Sequence, residues 1–371
     1  MASSRPAGRR PAIYLDHQAT TPLAPEAREA MLRWMGGPGE ASFGNPHSPH
    51  RMGRMAAAAV EVAREQVAAL FPPGGRVIFT AGATEAVNLA IRGLAAAQER
   101  PAIMAGATEH ACVLDTARSA GDTEIWPVDS EGLLDPEHPF ARPPALLAVM
   151  QVNNEIGVVQ DMAAVLARAR RDGALLLVDA VQGAGKLPPA DADMIAISAH
   201  KLYGPKGIGA LWVRDGVALV STSTGGAQEG LRSGTLSPML CAGFGAAAAL
   251  AHARMAEDEA HLRTLFARAL TLFAGWHWNG SLARRWPGNL NLRREGLDVA
   301  RLMSDCRTLM FSAGSACASG SGRPSHVLRA IGLDDTEARS SIRLGLGRYT
   351  TMEELEEAAA ILNAAAAEQG V

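Results

Sequence analysis

A carboxylate and an amine each follow a predicted strand in the middle of the chain. The apolar run 174–178 ends at Asp179, with Gln182 shortly after, and the next run, 194–198, is followed by Lys201. Since the carboxyl ends of parallel strands meet at one edge of a sheet, both groups would lie there. A pyridinium cofactor requires such a pair, because an anion keeps its ring nitrogen protonated and a lysine binds its aldehyde as a Schiff base. A surface ion pair between Asp179 and Lys201 is the simpler alternative, but the placement of both at strand ends favours the cofactor site.

A phosphate site is predicted directly after the strand 76–80. The residues there are Gly82, Ala83, Thr84 and Glu85, at the start of a predicted helix. Glycine permits close approach of a ligand, and the free amides of a helix N-terminus, together with the Thr84 hydroxyl, can bind an anion. A helix cap would explain Thr84 about as well.

One thiol lies in a loop of small residues. Residues 312–321 read Ser-Ala-Gly-Ser-Ala-Cys-Ala-Ser-Gly-Ser, which places Cys317 among neighbours that allow mobility and solvent access. A nucleophilic thiolate needs both, and a neighbour or the substrate must take up its proton, for which His110 is a candidate. The other cysteines have apolar or helical surroundings and are interpreted as core residues or bystanders: Cys112, Cys241 and Cys306.

Two further patterns concern a substrate carboxylate and a metal. Arg343 lies in a predicted strand, and its planar guanidinium matches a carboxylate with two hydrogen bonds, although a structural salt bridge is the alternative. Four residues of metal-ligating type form two pairs in the sequence. The spacing within each pair does not suit two ligands on one helical face, and no second cluster completes a site, so no metal is predicted. These residues are His47, His50, His110 and Cys112.

The elements that position these residues indicate an α/β fold. Strands that are apolar throughout alternate with helical stretches, which is typical of a mainly parallel sheet covered by helices on both faces. The predicted strands are 76–80, 102–105, 145–152, 174–178, 194–198 and 209–213. We therefore expect a mainly parallel sheet flanked by helices.

A second, smaller α/β domain is expected towards the C-terminus. A long helix, 239–273, leads to strands 289–293 and 341–345 and to a final helix from about residue 352. We therefore predict a large cofactor-binding domain over 14–252 and a small domain over 253–371, with residues 1–13 packing near the latter.

Composition indicates a globular protein without a strong charge. The chain has 371 residues, 48% hydrophobic and 20% charged, with a net charge of -3. Nothing predicts nucleic-acid or membrane contact, the N-terminal tail lacks the apolar stretch of a secretory signal, and four cysteines fit a reducing compartment, so a cytoplasmic location is expected. Only three of the 35 basic residues are lysine, namely Lys186, Lys201 and Lys206, which raises the question of what an amine does there that a guanidinium cannot.

In these segments the chain resembles the cysteine desulfurases of the NifS/IscS type, in the class V aminotransferase family of fold-type I pyridoxal phosphate enzymes. The resemblance extends from Tyr14-Leu-Asp-His-Gln-Ala-Thr-Thr-Pro to Gly347-Arg-Tyr-Thr. Its most specific parts are Phe43-Gly-Asn-Pro-His-Ser, Gly82-Ala-Thr-Glu, Thr108-Glu-His, Val152-Asn-Asn-Glu-Ile-Gly, Ser198-Ala-His-Lys-Leu-Tyr-Gly-Pro-Lys-Gly, Arg232-Ser-Gly-Thr and Gly314-Ser-Ala-Cys.

The resemblance implies the mainly parallel, seven-stranded sheet of the pyridoxal phosphate-dependent transferase fold, and a role for each matching residue. Lys201 would bind pyridoxal 5'-phosphate, Cys317 would take the sulfur, and His110 would stack on the cofactor ring and shuttle protons. The phosphate would be held by Ala83, Thr84, Ser198 and His200. Asp179 would pair with the ring nitrogen, while Asn154 and Gln182 would hydrogen-bond the cofactor, Gln182 at its phenolic oxygen. Arg343, with Asn45 and Asn154, would hold the carboxylate of cysteine, and Thr235 would reach the phosphate of the other subunit of a homodimer.

The implied activity is a sulfurtransferase reaction that converts L-cysteine to L-alanine and leaves a persulfide on Cys317. The sulfur would pass to an acceptor such as an iron–sulfur scaffold or a tRNA-thiolation relay. Many family members have a longer C-terminal segment that helps to dock the scaffold, and this chain ends soon after its last predicted helix. The acceptor is thus left open by the sequence.

Three alternatives were weighed against this interpretation. A selenocysteine lyase, or another pyridoxal phosphate-dependent lyase or aminotransferase of the family, would share the cofactor site and differ in its use of Cys317. An inert binding subunit would have lost catalysis, which the presence of Lys201, Asp179, His110 and Cys317 disfavours. A rhodanese-like sulfurtransferase would need the thiol but no lysine.

Overall fold

The computed structural model describes residues 12–98, 100–226, 229–314 and 324–371. Its strands are β1 (Ile13–Tyr14), β2 (Gly75–Thr80), β3 (Ala102–Gly106), β4 (Asp122–Trp126), β5 (Leu146–Met150), β6 (Leu175–Asp179), β7 (Met194–Ser198), β8 (Gly209–Arg214), β9 (His277–Trp278), β10 (Asn289–Arg293), β11 (Leu309–Met310), β12 (Ser312–Ala313) and β13 (Ser341–Gly345). Its α-helices are α1 (Pro25–Leu32), α2 (Arg51–Ala68), α3 (Ala83–Ala97), α4 (Ala111–Ala120), α5 (Met162–Asp172), α6 (Pro238–Leu272), α7 (Val299–Asp305), α8 (His326–Ala330), α9 (Asp335–Arg339) and α10 (Met352–Ala367).

The largest sheet has seven strands in the order β2-β8-β7-β6-β5-β3-β4. Strand β8 runs antiparallel to both its neighbours, and the other pairings are parallel. The predicted mainly parallel, seven-stranded sheet is therefore confirmed. One strand, β4, was missed, because it is a half-exposed edge strand with the polar sequence Asp-Thr-Glu-Ile-Trp and lacks the apolar run by which the others were recognised.

Both faces of this sheet are buried, as the apolar strands predicted. Alternate residues of each strand enter two different hydrophobic clusters; in β7, for example, Ile195 and Ile197 enter one, and Met194 and Ala196 enter the other. Helices α2, α5 and the first half of α6 cover one face, while α3 and α4 cover the opposite face. Burial on both faces leaves the strand ends as the place where polar groups can gather.

A third cluster forms around a smaller antiparallel sheet of order β12-β13-β10-β9. Helices α7 and α10 pack on this sheet, and the short strand β1 pairs in parallel with β11, so Ile13 and Leu15 enter the same cluster. The predicted strands 289–293 and 341–345 and the final helix are confirmed. Helix α10 begins at Met352 because Thr351 and Glu354 form a capping box.

Helix α6 connects the two regions. Its first half contributes Phe244 and Ala251 to the cluster under the large sheet, and its second half contributes Leu262 and Ala269 to the cluster of the small sheet. Among the described residues it is also the one helix long and apolar enough to cross a membrane by length and composition, but its buried residues pack within the two cores. The predicted domain division at residues 252 and 253 falls inside this helix and stays a prediction.

Candidate active site

A cavity of about 670 Å³ opens at the carboxyl ends of the parallel strands. Its lining comes from segments that follow β2, β3, β5, β6 and β7, joined by β12 and β13 from the small sheet. Ten of the predicted site residues line it: Ala83, Thr84, His110, Asn154, Asp179, Gln182, Ser198, His200, Lys201 and Arg343. The structure thus brings together groups that are up to 260 positions apart in the sequence.

Three predicted residues are not among those that line the cavity. Asn45 is exposed, and its side-chain oxygen accepts a hydrogen bond from the backbone of His47 at 2.9 Å. Thr235 is exposed as well, at a position expected to serve the second subunit of a dimer. Cys317 lies outside the described residues, and the last described residue before it, Gly314, borders the cavity. The roles of these three residues stay predictions.

The amine of Lys201 is held by backbone carbonyl oxygens. Its Nζ donates to Gln18 O at 2.5 Å and to Ala19 O at 2.7 Å. No salt bridge joins Lys201 to Asp179 in the described part of the chain, and Asp179 is only 4% exposed, so the alternative of a surface ion pair is wrong. Burial, together with Arg343, lowers the pKa of Lys201 to about 8, while Asp16 and Asp179 act in the opposite direction.

This lowered pKa predicts a pH dependence for cofactor attachment. Only the neutral amine can attack an aldehyde, so the rate at which cofactor-free protein takes up pyridoxal phosphate should rise with pH around a midpoint of about 8. Absorbance at a series of pH values measures this rate, with Lys201→Ala as the blank. A rate that still climbs near 10.5, the ordinary pKa of lysine, would contradict the prediction.

Asp179 ends β6 and lies on the floor of the cavity. One side-chain oxygen accepts a hydrogen bond from Val181 N at 3.0 Å. Burial raises the pKa of Asp179, while that hydrogen bond, His110 and Lys201 act in the opposite direction. A cation next to this buried carboxylate stabilises its charged form. A protonated ring nitrogen would supply such a cation.

The start of helix α3 offers unoccupied amides to an anion. The N-cap is Gly82, which has no side chain to cap the helix, and the Glu85 carboxylate accepts from Ala81 N, the residue before the cap. Thr84 is the second residue of the helix and not its N-cap, so the alternative of a helix cap is wrong for Thr84. His200 lies across the cavity, and burial together with Lys201 and Lys206 lowers its pKa to about 4, so it can donate to an anion as a neutral imidazole.

His110 is held in one orientation at the start of α4. Its Nδ1 accepts a hydrogen bond from Cys112 N at 3.1 Å, which caps the helix. Because Nδ1 is an acceptor, a neutral ring carries its proton on Nε2. His110 can therefore donate a hydrogen bond from Nε2.

The sequence left two alternatives open for Arg343, a structural salt bridge and a site for a substrate carboxylate. Its Nη2 donates to Asp16 Oδ1 at 2.7 Å, and its Nη1 donates to Asn154 O at 3.2 Å. The structural salt bridge is therefore present, yet the side chain also lines the cavity. Its buried Nε has no hydrogen-bond partner among the described residues, which leaves a donor for a carboxylate.

Sequence reasoning did not assign roles to Gln18, Ala19 or Asp16, although all three lie in the segment Tyr14-Leu-Asp-His-Gln-Ala-Thr-Thr-Pro by which the family resemblance was noted. Gln18 and Ala19 act through backbone carbonyls, which leave no signal in a residue type. Lys206 also lines the cavity, from the motif that contains Lys201.

These residues fit pyridoxal phosphate. The cavity has a lysine for the aldehyde, a buried carboxylate for the ring nitrogen, and an uncapped helix start with Ser198 and His200 for the phosphate. The buried Nε of Arg343 and the second N–H of the Gln182 amide, whose first N–H donates to Gln18 O, leave donors for the remaining oxygens of the cofactor and its substrate.

Comparisons with known proteins agree with this arrangement. The chain is 43% identical over 368 residues to the cysteine desulfurase IscS of Shewanella loihica, with 93% of this chain and 90% of the relative covered. It superposes on a solved NifS-like protein with a TM-score of 0.86, 29% identity and coverage of 97% and 99%. It superposes on a structure described as SspA in complex with cysteine with a TM-score of 0.78, 33% identity and coverage of 91% and 99%. Residues 13–357 match the family described as aminotransferase class-V, whose members depend on pyridoxal phosphate, and the chain belongs to this family.

Proposed function

We propose that this chain is a cysteine desulfurase that converts L-cysteine to L-alanine and leaves a persulfide on Cys317. The observation that carries the proposal is that Lys201, Asp179 and Arg343 line one cavity together with Gly314, three positions before Cys317 in the sequence. The relatives named cysteine desulfurase support it, since they align over nearly the whole chain. The similar structure that holds cysteine supports the choice of substrate.

The cavity residues have different roles in the reaction. Pyridoxal phosphate, when bound, supplies an electron sink for the pair that remains when the α-proton of the substrate leaves. Arg343 orients the substrate carboxylate, and Asp16 holds the guanidinium in place at 2.7 Å. The Lys201 amine, once free, is retained by the carbonyls of Gln18 and Ala19 and can take the α-proton, because its pKa of about 8 leaves a neutral fraction near neutral pH.

Sulfur is then transferred from the substrate to Cys317. The Cys317 thiolate forms an S–S bond to the substrate sulfur while the bond between that sulfur and Cβ breaks. The electron pair of the broken bond stays with the carbon skeleton, which gains protons and leaves as alanine. Lys201, which has taken up the α-proton, can return one of these protons, and His110 can donate a hydrogen bond from Nε2.

We also propose a homodimer, a cytoplasmic location and transfer of the sulfur to an acceptor such as an iron–sulfur scaffold or a tRNA-thiolation relay. Thr235 and Asn45 would act on the partner's cavity, since both are exposed on this chain. Large apolar side chains near Asn45 support a subunit contact there, with Met35 and Phe43 each 60% exposed.

The test is product analysis with the cofactor-loaded protein. With L-cysteine and no acceptor, we expect one alanine and one persulfide per active site, the persulfide being located at Cys317 by mass analysis of peptides. With dithiothreitol present, sulfide and alanine should form continuously in equal amounts. If selenocysteine gave alanine and cysteine did not, the selenocysteine lyase alternative would be correct instead.

A further inference from the structure

Lys186 is the one lysine that does not line the main cavity. The other two, Lys201 and Lys206, do so. Lys186 follows the turn after β6 and borders a second, small cavity of about 20 Å³ on the far side of Gln182. In a chain whose basic residues are nearly all arginine, this lysine has no role in the chemistry derived above.

The ammonium of Lys186 has no carboxylate partner in the described part of the chain. The carboxylate that borders the small cavity, Asp258, is paired with Arg348 at 2.7 Å and with Arg254 at 3.4 Å. Two other titratable neighbours are neutral: burial lowers the pKa of His17 to about 4 and raises the pKa of Tyr203 to about 12. Lys186 is partly exposed as a residue, but burial of its ammonium and repulsion by Lys201 lower its pKa to about 7.

The side-chain partner of this ammonium is the carboxamide of Gln182. Lys186 Nζ donates to Gln182 Oε1 at 3.2 Å, and Gln182 Nε2 donates to Gln18 O at 2.9 Å. An ammonium only donates and a carbonyl oxygen only accepts, so these two partners determine which end of the amide is which. The second hydrogen of Nε2 is then left for the main cavity, which Gln182 lines.

We propose that Lys186 is a positioning residue of the cofactor site: it fixes the Gln182 carboxamide so that an N–H, and not the carbonyl oxygen, faces the cavity. The ligand of that N–H is the phenolic oxygen of pyridoxal phosphate. The inference rests on the proposed function only in that the protein must bind pyridoxal phosphate. A lysine suits this position because its compact, single-headed cation reaches one amide oxygen, whereas the wide fork of arginine needs several acceptors.

The test is the pH titration of the visible absorption of protein-bound pyridoxal phosphate, recorded without cysteine. A donor at the phenolic oxygen makes it harder for the lysine-linked cofactor to hold its extra proton. Lys186→Met and Gln182→Leu should therefore each raise the midpoint by roughly 0.5 to 1 pH unit, the size expected from one hydrogen bond. The dissociation constant for pyridoxal phosphate should rise about threefold to tenfold in both variants.

The double variant decides whether Lys186 acts through Gln182. If it does, Lys186→Met shifts the midpoint no further once Gln182 is leucine. A further upward shift in the double variant would show a direct charge effect and would overturn the proposal, as would an unchanged midpoint in Lys186→Met alone.

Two checks separate this role from simpler ones. If Lys186 were merely structural, Lys186→Met would lower the melting temperature of the cofactor-free protein and leave the midpoint unchanged, which would overturn the proposal. Should Lys186→Met not fold, the shorter and neutral Lys186→Gln replaces it with the same expected shift. None of these measurements uses cysteine. They would therefore remain valid even if the chain were not a cysteine desulfurase.

Discussion

Lys201→Ala is expected to abolish covalent attachment of pyridoxal phosphate and to lower alanine formation from cysteine at least about a thousandfold. Both effects have one cause, since the same amine binds the aldehyde and later moves the α-proton. The backbone carbonyls of Gln18 and Ala19 that hold the amine remain in the variant, so the fold should persist. Alanine formation and the visible absorbance of the purified protein measure the two losses.

Lys201→Arg is the matched control, because it keeps the positive charge but cannot form the imine. We expect it to be as inactive as the alanine variant. Borohydride reduction of the wild-type protein followed by peptide mapping gives an independent answer, since the chain has only three lysines. A label on Lys186 or Lys206, or no label at all, would refute the assignment of Lys201.

Cys317→Ala is expected to reduce sulfide release from cysteine to background, a loss of at least about a thousandfold, while the protein stays yellow. The thiolate of Cys317 is the group that receives the sulfur, and the residues that line the cofactor cavity are unchanged in this variant. The measurements are sulfide release under reducing conditions and the absorption spectrum of the bound cofactor.

Two of the other three cysteines, which do not line the cavity, provide the control for this variant. Cys241 and Cys306 are buried, and burial raises the pKa of each thiol, to about 12 for Cys241. Neither should accept sulfur, so Cys306→Ala should keep sulfide release within about twofold of the wild type. Full sulfide release by Cys317→Ala would rule out the persulfide step on that residue.

Local sequence was sufficient to predict an element where a single physical rule determines its structure. Strand β7 was predicted with its observed bounds, because a short apolar run that is buried on both faces has few other interpretations. Strand β4 was missed because it lies at the sheet edge, where polar residues are tolerated. The start of α3 after β2 was readable as well, since a glycine between a strand and a helix favours an exposed helix N-terminus.

The sequence by itself determined six of the seven strands of the large sheet, two strands of the small sheet and ten of the residues that line the cavity, because residue type and position after a strand are local properties. Only the tertiary structure decided whether Asp179 and Lys201 form an ion pair, that Asp16 holds Arg343, and that Lys186 contacts Gln182. These contacts depend on side-chain direction and on backbone carbonyls from distant segments such as Gln18. Such geometry arises from packing of the whole chain and leaves no local pattern in the sequence.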